Sequence, residues 1–195
     1  MENIDEKLKD RIFSTNLQVV NLDKVSFRGK ILDIGGGGEG VIGQVYGDQV
    51  ISIDSLEEEL REAPEGPLKI IMDAKNLTFL DNSFDLVTSF FTMMYIEYEH
   101  REKVIEEVYR VLNPGGKFKL WDINVTKPND CKKDVYLVPV EINIGERKIN
   151  TSYGVSWKNR EQSILYYIDI FKKVGFEILN KNTNGQVYHL VGKKS

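Results

Sequence analysis

Short apolar runs that end in an acid or a glycine alternate along this chain with stripes of helical spacing, which predicts an α/β fold. Three observations carry the prediction. Lys30-Ile31-Leu32-Asp33-Ile34 runs straight into Gly35-Gly36-Gly37-Gly38-Glu39-Gly40, a buried strand followed by a glycine turn and the start of a helix. Gln49-Val50-Ile51-Ser52-Ile53-Asp54 repeats the pattern of a buried strand ending in an acid. Val104, Ile105, Val108, Val111 and Leu112 recur among charges at helical spacing. The 195 residues suffice for one domain with a sizeable core, and no repeat, linker or low-complexity tract divides residues 1–195.

Composition narrows the function. The net charge of −4 argues against a nucleic-acid partner, which needs a basic face. A single cysteine, Cys131, suits a reducing cytoplasm and precludes an internal disulfide. No window is apolar enough for a membrane span, and Met1-Glu2-Asn3-Ile4-Asp5-Glu6 is too acidic for a signal peptide. The expected setting is therefore cytoplasmic, away from membranes.

The elements follow in order. Ile4, Leu8 and Ile12 stand at helical spacing, so residues 1–22 are expected to hold an N-terminal helix, either packed on the domain edge or closing over a ligand as a lid. After the glycine run, Val41, Ile42, Val45 and Tyr46 form the stripe of a short helix closed by Gly47. Ser55 is placed to cap a second short helix, Leu56 to Ala63, which Pro64 and Gly66 stop. Pro67 to Ala74 is a third strand and its exit. Leu77-Thr78-Phe79-Leu80-Asp81-Asn82-Ser83 turns into a fourth strand, Phe84 to Phe91. The helix over Arg101–Leu112 ends at Asn113-Pro114-Gly115-Gly116, before a fifth strand from Lys117 to Ile123. Alternating Val138, Val140, Ile142 and Ile144, a turn at Gly145, and alternating Ile149, Thr151, Tyr153, Val155 and Trp157 predict an inserted β-hairpin over 135–158. A helix through Ile164, Ile168 and Phe171, then strands around Phe176–Leu179 and Gln186–Val191, complete the chain.

The glycine turn has a definite physical use. Glycine lacks a Cβ, so bare backbone can approach a ligand, and a helix N-terminus adds free N–H groups and partial positive charge. Gly35, Gly37 and Gly40 satisfy the G-x-G-x-x-G spacing of dinucleotide-binding domains, with Asp54 about 20 residues on as a ribose acid. That leaves an NAD(P)-dependent oxidoreductase as one reading. Asp33, two residues before the first glycine, belongs to a different pattern.

An acid before a glycine run, Asp73-Ala74 at the end of the third strand, the Leu77–Ser83 turn into Phe84-Asp85-Leu86-Val87, and Arg110-Val111-Leu112-Asn113-Pro114-Gly115-Gly116 stand in that order between Ile31 and Trp121. Together they resemble class I S-adenosylmethionine (SAM)-dependent methyltransferases of the small-molecule type, in particular the domain called Methyltransferase domain 11. Two positions depart from the family pattern: Glu39 occupies the third glycine position and Thr78 replaces a proline. The resemblance implies a Rossmann-like three-layer sandwich with a seven-stranded, mostly parallel sheet whose last strand is antiparallel. It implies SAM as cofactor, with Asp33, Gly35, Gly36 and Gly37 at its methionyl part, Asp54 at its ribose and Ser55 among the binding residues. Asp73 and Ala74 would meet the adenine, with Phe90 packed nearby. A small-molecule acceptor follows from the same likeness.

No residue is marked as a base. Tyr95, Glu97 and His100 follow the fourth strand, and Asp122 and Asn124 the fifth. Tyr95 and Asp122 are the catalytic candidates, by location; His100 sits in a charged helix start where a solvated role is expected. No cluster of His, Cys and carboxylates suggests a metal. The hairpin is expected to shape an acceptor pocket, to cover the core or to mediate a homodimer. A non-catalytic protein that keeps the fold and acts by association is a further reading.

Overall fold

The computed structural model describes residues 10–23, 26–126 and 133–195. Its main sheet has seven strands in the order β10-β11-β7-β6-β3-β4-β5. At its centre β3 (Ile31–Ile34) pairs in parallel with β4 (Val50–Asp54) on one side and β6 (Phe84–Phe90) on the other, with Ile31 opposite both Val50 and Leu86. β5 (Leu68–Ile71) extends one edge, and β7 (Leu112–Ile123) pairs in parallel with β6. β11 (Val187–Lys194) then runs antiparallel between β7 and β10 (Phe176–Asn184). This is the mostly parallel seven-stranded sheet with a reversed last strand that the resemblance implies.

Alternation along the central strands sends neighbouring residues to opposite faces. Leu32, Ile34, Val87, Phe118 and Leu120 face α3 (Tyr98–Val111) and α4 (Ile164–Val174), where Val104, Val108, Tyr167 and Phe171 close the core. Ile31, Leu86, Trp121 and Ile123 face the other way. There α1 (Val41–Tyr46) covers part of the sheet and β8 (Val135–Ile144) the rest, through Tyr136, Val138, Val140 and Ile142. α2 (Glu57–Glu62) packs beside β4.

The expected hairpin is present: β8 pairs antiparallel with β9 (Arg147–Ser156) along ten residues. It does not stand alone, and here the N-terminal expectation is corrected. Ile12–Ser14 and Gln18–Leu22 are strands β1 and β2, both parallel to β8 on the edge that β9 leaves free. Ile4 and Leu8 lie outside the described residues, as does Cys131. The buried-exposed alternation from Gln18 to Leu22 has period two, and a ten-residue strand with an open edge offers it main-chain partners. Local helical spacing through Ile12 loses to that pairing.

Two of the sequence motifs interlock. Arg110 donates from Nη2 to the Leu77 carbonyl at 2.7 Å and from Nη1 to the Phe79 carbonyl at 2.9 Å and to Asp81 at 2.7 Å. Glu107, ion-paired with Arg110 at 2.8 Å, accepts from the Leu77 N–H at 3.0 Å. The arginine before Val-Leu-Asn-Pro-Gly-Gly thus fixes the turn that feeds β6, which is why the two stretches occur together.

Candidate functional site

The carboxyl ends of β3, β4, β5 and β6 open into one cavity of about 880 Å³. The glycine loop forms its floor. The Gly35 and Gly36 N–H groups donate to the Ile53 carbonyl at 2.8 and 3.0 Å, so the turn is strapped to β4. Gly35 sits at φ +70°, and a Cβ there would fall 2.2 Å from Thr92 Oγ1, which donates to the Ile34 carbonyl at 3.0 Å. At Gly37 a Cβ would fall 2.5 Å from the Cβ of Glu59 and 3.0 Å from Asp54 Oδ2. Only bare backbone passes between these neighbours.

Asp33 lies beneath the loop, 2% exposed, accepting from Thr88 Oγ1 at 2.7 Å. Burial pushes its carboxyl up to about 7, against the Thr88 bond that pulls it down and with the Asp54 charge adding to the rise. Asp54 ends β4 and accepts from the Leu56 N–H at 3.0 Å. The start of α2 is therefore bound by Asp54, not by the expected Ser55 cap; Ser55 is exposed on the cavity wall. Asp73 turns its Oδ1 onto the Lys75 N–H at 2.9 Å, and its Oδ2 lies 3.4 Å from Lys75 Nζ. Ala74 and Phe90 share the lining with them. Of the expected cofactor residues, Asp33, Gly35, Gly37, Asp54, Ser55, Asp73, Ala74 and Phe90 all border the cavity. Gly36 faces inward instead: a Cβ there would meet the Ser52 and Asp33 side chains within 2.8 Å.

The two catalytic candidates separate. Tyr95 borders the cavity, its phenol pushed up to about 12, chiefly by burial. Asp122 does not border it. Alternation along β7 turns Asp122 to the helical face, where it is fully buried and accepts from the Met94 N–H at 3.1 Å, the Ile123 N–H at 2.8 Å and Gln162 Nε2 at 2.7 Å. Burial raises its carboxyl to about 7. Arg101, also fully buried, gives its guanidinium to the carbonyls of Ile96, Glu161 and Arg160 and supplies the nearby positive charge. Asp122 is corrected from a base beside the cleft to a brace that ties β7 to Met94 after β6 and to Gln162 before α4.

Sequence reading missed several lining residues: Thr92, Ser152, Tyr153, Arg160, and Glu59 and Glu62 on α2. Ser152 and Tyr153 come from β9, so the hairpin supplies wall as well as cover. Tyr153 stacks on Phe91 at 4.6 Å and 15°. Glu97 and His100 also reach the cavity, and with Glu99 their ligand atoms lie within 4.8 Å of one another, a grouping the sequence reading had discounted. It is exposed and stands at the positive end of α3, which disfavours a cation.

A family model described as a methyltransferase domain matches residues 32–120, which span the glycine loop, Asp54, Asp73, β6 and the Arg110 turn. Over these residues the chain is similar to class I SAM-dependent methyltransferases. Methyltransferases also appear among its relatives. Sterol 4-C-methyltransferase strm-1 of Caenorhabditis elegans is 29% identical over 140 residues, 66% of this chain and 41% of that one. The ubiquinone/menaquinone biosynthesis C-methyltransferase UbiE of Cupriavidus necator is 33% identical over 132 residues, 60% of this chain and 53% of that one. The chain thus spans about half or less of the length of these relatives. Among solved structures, a SAM-dependent methyltransferase from Aquifex aeolicus superposes with a TM-score of 0.62 at 15% identity, covering 86% of this chain and 82% of that one. Another, from Mesorhizobium loti, gives 0.61 at 16% identity, with 85% and 91% covered. At these identities the likeness is one of fold.

Proposed function

We propose that this chain binds SAM and transfers its methyl group to a small-molecule acceptor. One observation carries the reading: the glycine loop, the Asp54 carboxylate and the Asp73-Ala74 exit of β5 share a single cavity. The donor set fits that cofactor. Asp54 keeps Oδ2 toward Gly37 while Oδ1 holds Leu56, leaving a carboxylate to accept from ribose hydroxyls. Glu59 and Glu62 add negative charge to the same wall, which suits a ligand of net positive charge. A dinucleotide would bring its pyrophosphate against these carboxylates, so the oxidoreductase reading is disfavoured. Among the described residues, no helix is long and apolar enough to cross a membrane.

When bound, SAM supplies a methyl already activated on sulfur. The chain's work is then to orient and enclose. Gly35 and Gly37 let backbone approach the methionyl part, and Asp73 and Ala74 border the space for adenine. Phe91, Tyr95 and Tyr153 form an aromatic side against which an acceptor is held in line. Orientation of this kind can lower a barrier by about 7–11 kcal/mol. With its phenol held near 12, Tyr95 stays protonated at neutral pH and acts as a neutral hydrogen-bonding group. Tyr95 therefore does not itself take a proton from the acceptor. Sterols and quinones appear in the names of the relatives, which supports a small molecule as acceptor.

Thermal unfolding with SAM, S-adenosylhomocysteine, NAD⁺ and NADH in parallel tests the reading. A ligand at about 100 times its dissociation constant adds about 2.7 kcal/mol, or roughly 5–10 °C for this length. The expected outcome is a rise with SAM or S-adenosylhomocysteine that Asp54→Ala abolishes. A rise with the nicotinamide nucleotides alone would overturn it.

A further inference from the structure

Glu39 stands at the third glycine position of the loop, and its side chain does what a glycine there would not. Half-buried, it leaves the loop and reaches β9, more than a hundred residues later. One carboxylate oxygen accepts from the Thr151 hydroxyl; the other accepts from the Tyr153 hydroxyl at 3.4 Å. The Tyr153 ring is in turn laid on Phe91, which holds φ +53°, a left-handed conformation unfavourable for an aromatic residue. Tyr95, from the same segment after β6, lies beside the Gly154 N–H, and its carbonyl accepts from Arg160. One strand of the hairpin is thus fastened to two of the loops that border the cavity, those after β3 and β6.

Because Tyr153 donates its proton to Glu39, its oxygen is left to face a ligand as an acceptor. The carboxylate has no cationic partner within 4.0 Å among the described residues; these two hydroxyls are the hydrogen bonds it makes. We infer that Glu39 is a positioning residue: it draws β9 onto the glycine loop and so sets the wall that holds the methyl acceptor. This rests on the methyltransferase reading above. Occupancy of the glycine loop should then be felt in the hairpin through this one side chain.

The test compares the wild type with Glu39→Gly, Glu39→Gln and Tyr153→Phe. It measures the unfolding midpoint, S-adenosylhomocysteine affinity by calorimetry, and amide hydrogen exchange over residues 147–156 with and without that ligand. Glu39→Gly is expected to fold cooperatively and keep its affinity within about threefold, while free-state exchange in the hairpin quickens about tenfold and the ligand no longer slows it. Glu39→Gln, whose amide oxygen still accepts one hydroxyl, recovers part of the protection. Tyr153→Phe, which keeps the Thr151 bond, is intermediate. Equal hairpin exchange in the wild type and Glu39→Gly overturns the inference. So does a loss of affinity beyond about tenfold in Glu39→Gly, which would make Glu39 a cofactor ligand. A wild type that binds no S-adenosylhomocysteine overturns the methyltransferase reading instead, and free-state exchange still decides whether Glu39 fastens β9.

Discussion

The two faces of the main sheet are covered by different materials. On one, α3 and α4 lay Val104, Val108, Tyr167 and Phe171 over Leu32, Val87 and Leu120. On the other, a short helix shares the work with a second sheet built from strands far apart in the chain. The described strands also bury one acid on each face. Asp33 lies under the glycine loop with Thr88 as its side-chain donor, and Asp122 lies on the helical side with three donors and Arg101 nearby. The helical face is mostly closed core and meets the cavity at the start of α3. The β-covered face carries the loop and the hairpin wall, and so the parts that must meet ligands.

If the helical face is the folding core, Phe171→Ala should cost about 3–5 kcal/mol in urea unfolding, with the whole protein melting together. A smaller or merely local loss would break the comparison. A pH series sharpens it next. Asp33 titrates near 7 in the folded chain against about 3.9 unfolded, so between those values the native state binds more protons than the unfolded one. Stability from this group therefore falls as pH rises, by about 1.4 kcal/mol per unit, and its penalty is complete above about pH 7. Asp33→Asn should remove that slope, making the variant more stable relative to wild type at pH 7 than at pH 5 by about 2–3 kcal/mol. A pH-independent difference would sink the idea. The smallest effect is expected from Ile142→Val, about 0.5–1.5 kcal/mol. Its quickened hydrogen exchange should stay within β1, β2, β8 and β9; spread into α3 or α4 would show that the two coverings are one unit.

The same contrast governs what could be read from the sequence. The region from Ile31 to Trp121 was legible because its signals are local: a strand, a glycine turn and a helix in succession, with Arg110 and its turn each recognisable alone. The hairpin was legible too, since alternation of period two runs through ten residues of β8. Its partners were not. Helical spacing through Ile12 is a local signal, and what decides β1 and β2 is a free strand edge contributed by residues 135–144. Asp122 misled for a related reason. Its position near the end of the fifth strand suggested the cleft, but no residue of β7 borders the cavity, and alternation turns Asp122 to the helices. Tyr153 gave no sign of its place in the wall. The one hint was the misfit at Glu39, legible as a departure but not as a reach across to another sheet.

The parallel pairing of β1 and β2 with β8 also imposes a timetable on synthesis. Ile12 opposes Val135, and Gln18 opposes Val140. At about 5–20 residues per second, the ribosome takes roughly 6–25 s to supply the partner of Ile12 after Ile12 itself has been made. Until then β2 has no strand to pair with, while β3 to β6 can already assemble. The first described strands of the chain are among the last able to dock, which makes this segment the natural place for a chaperone, or a mistaken neighbour, to take hold of the nascent protein.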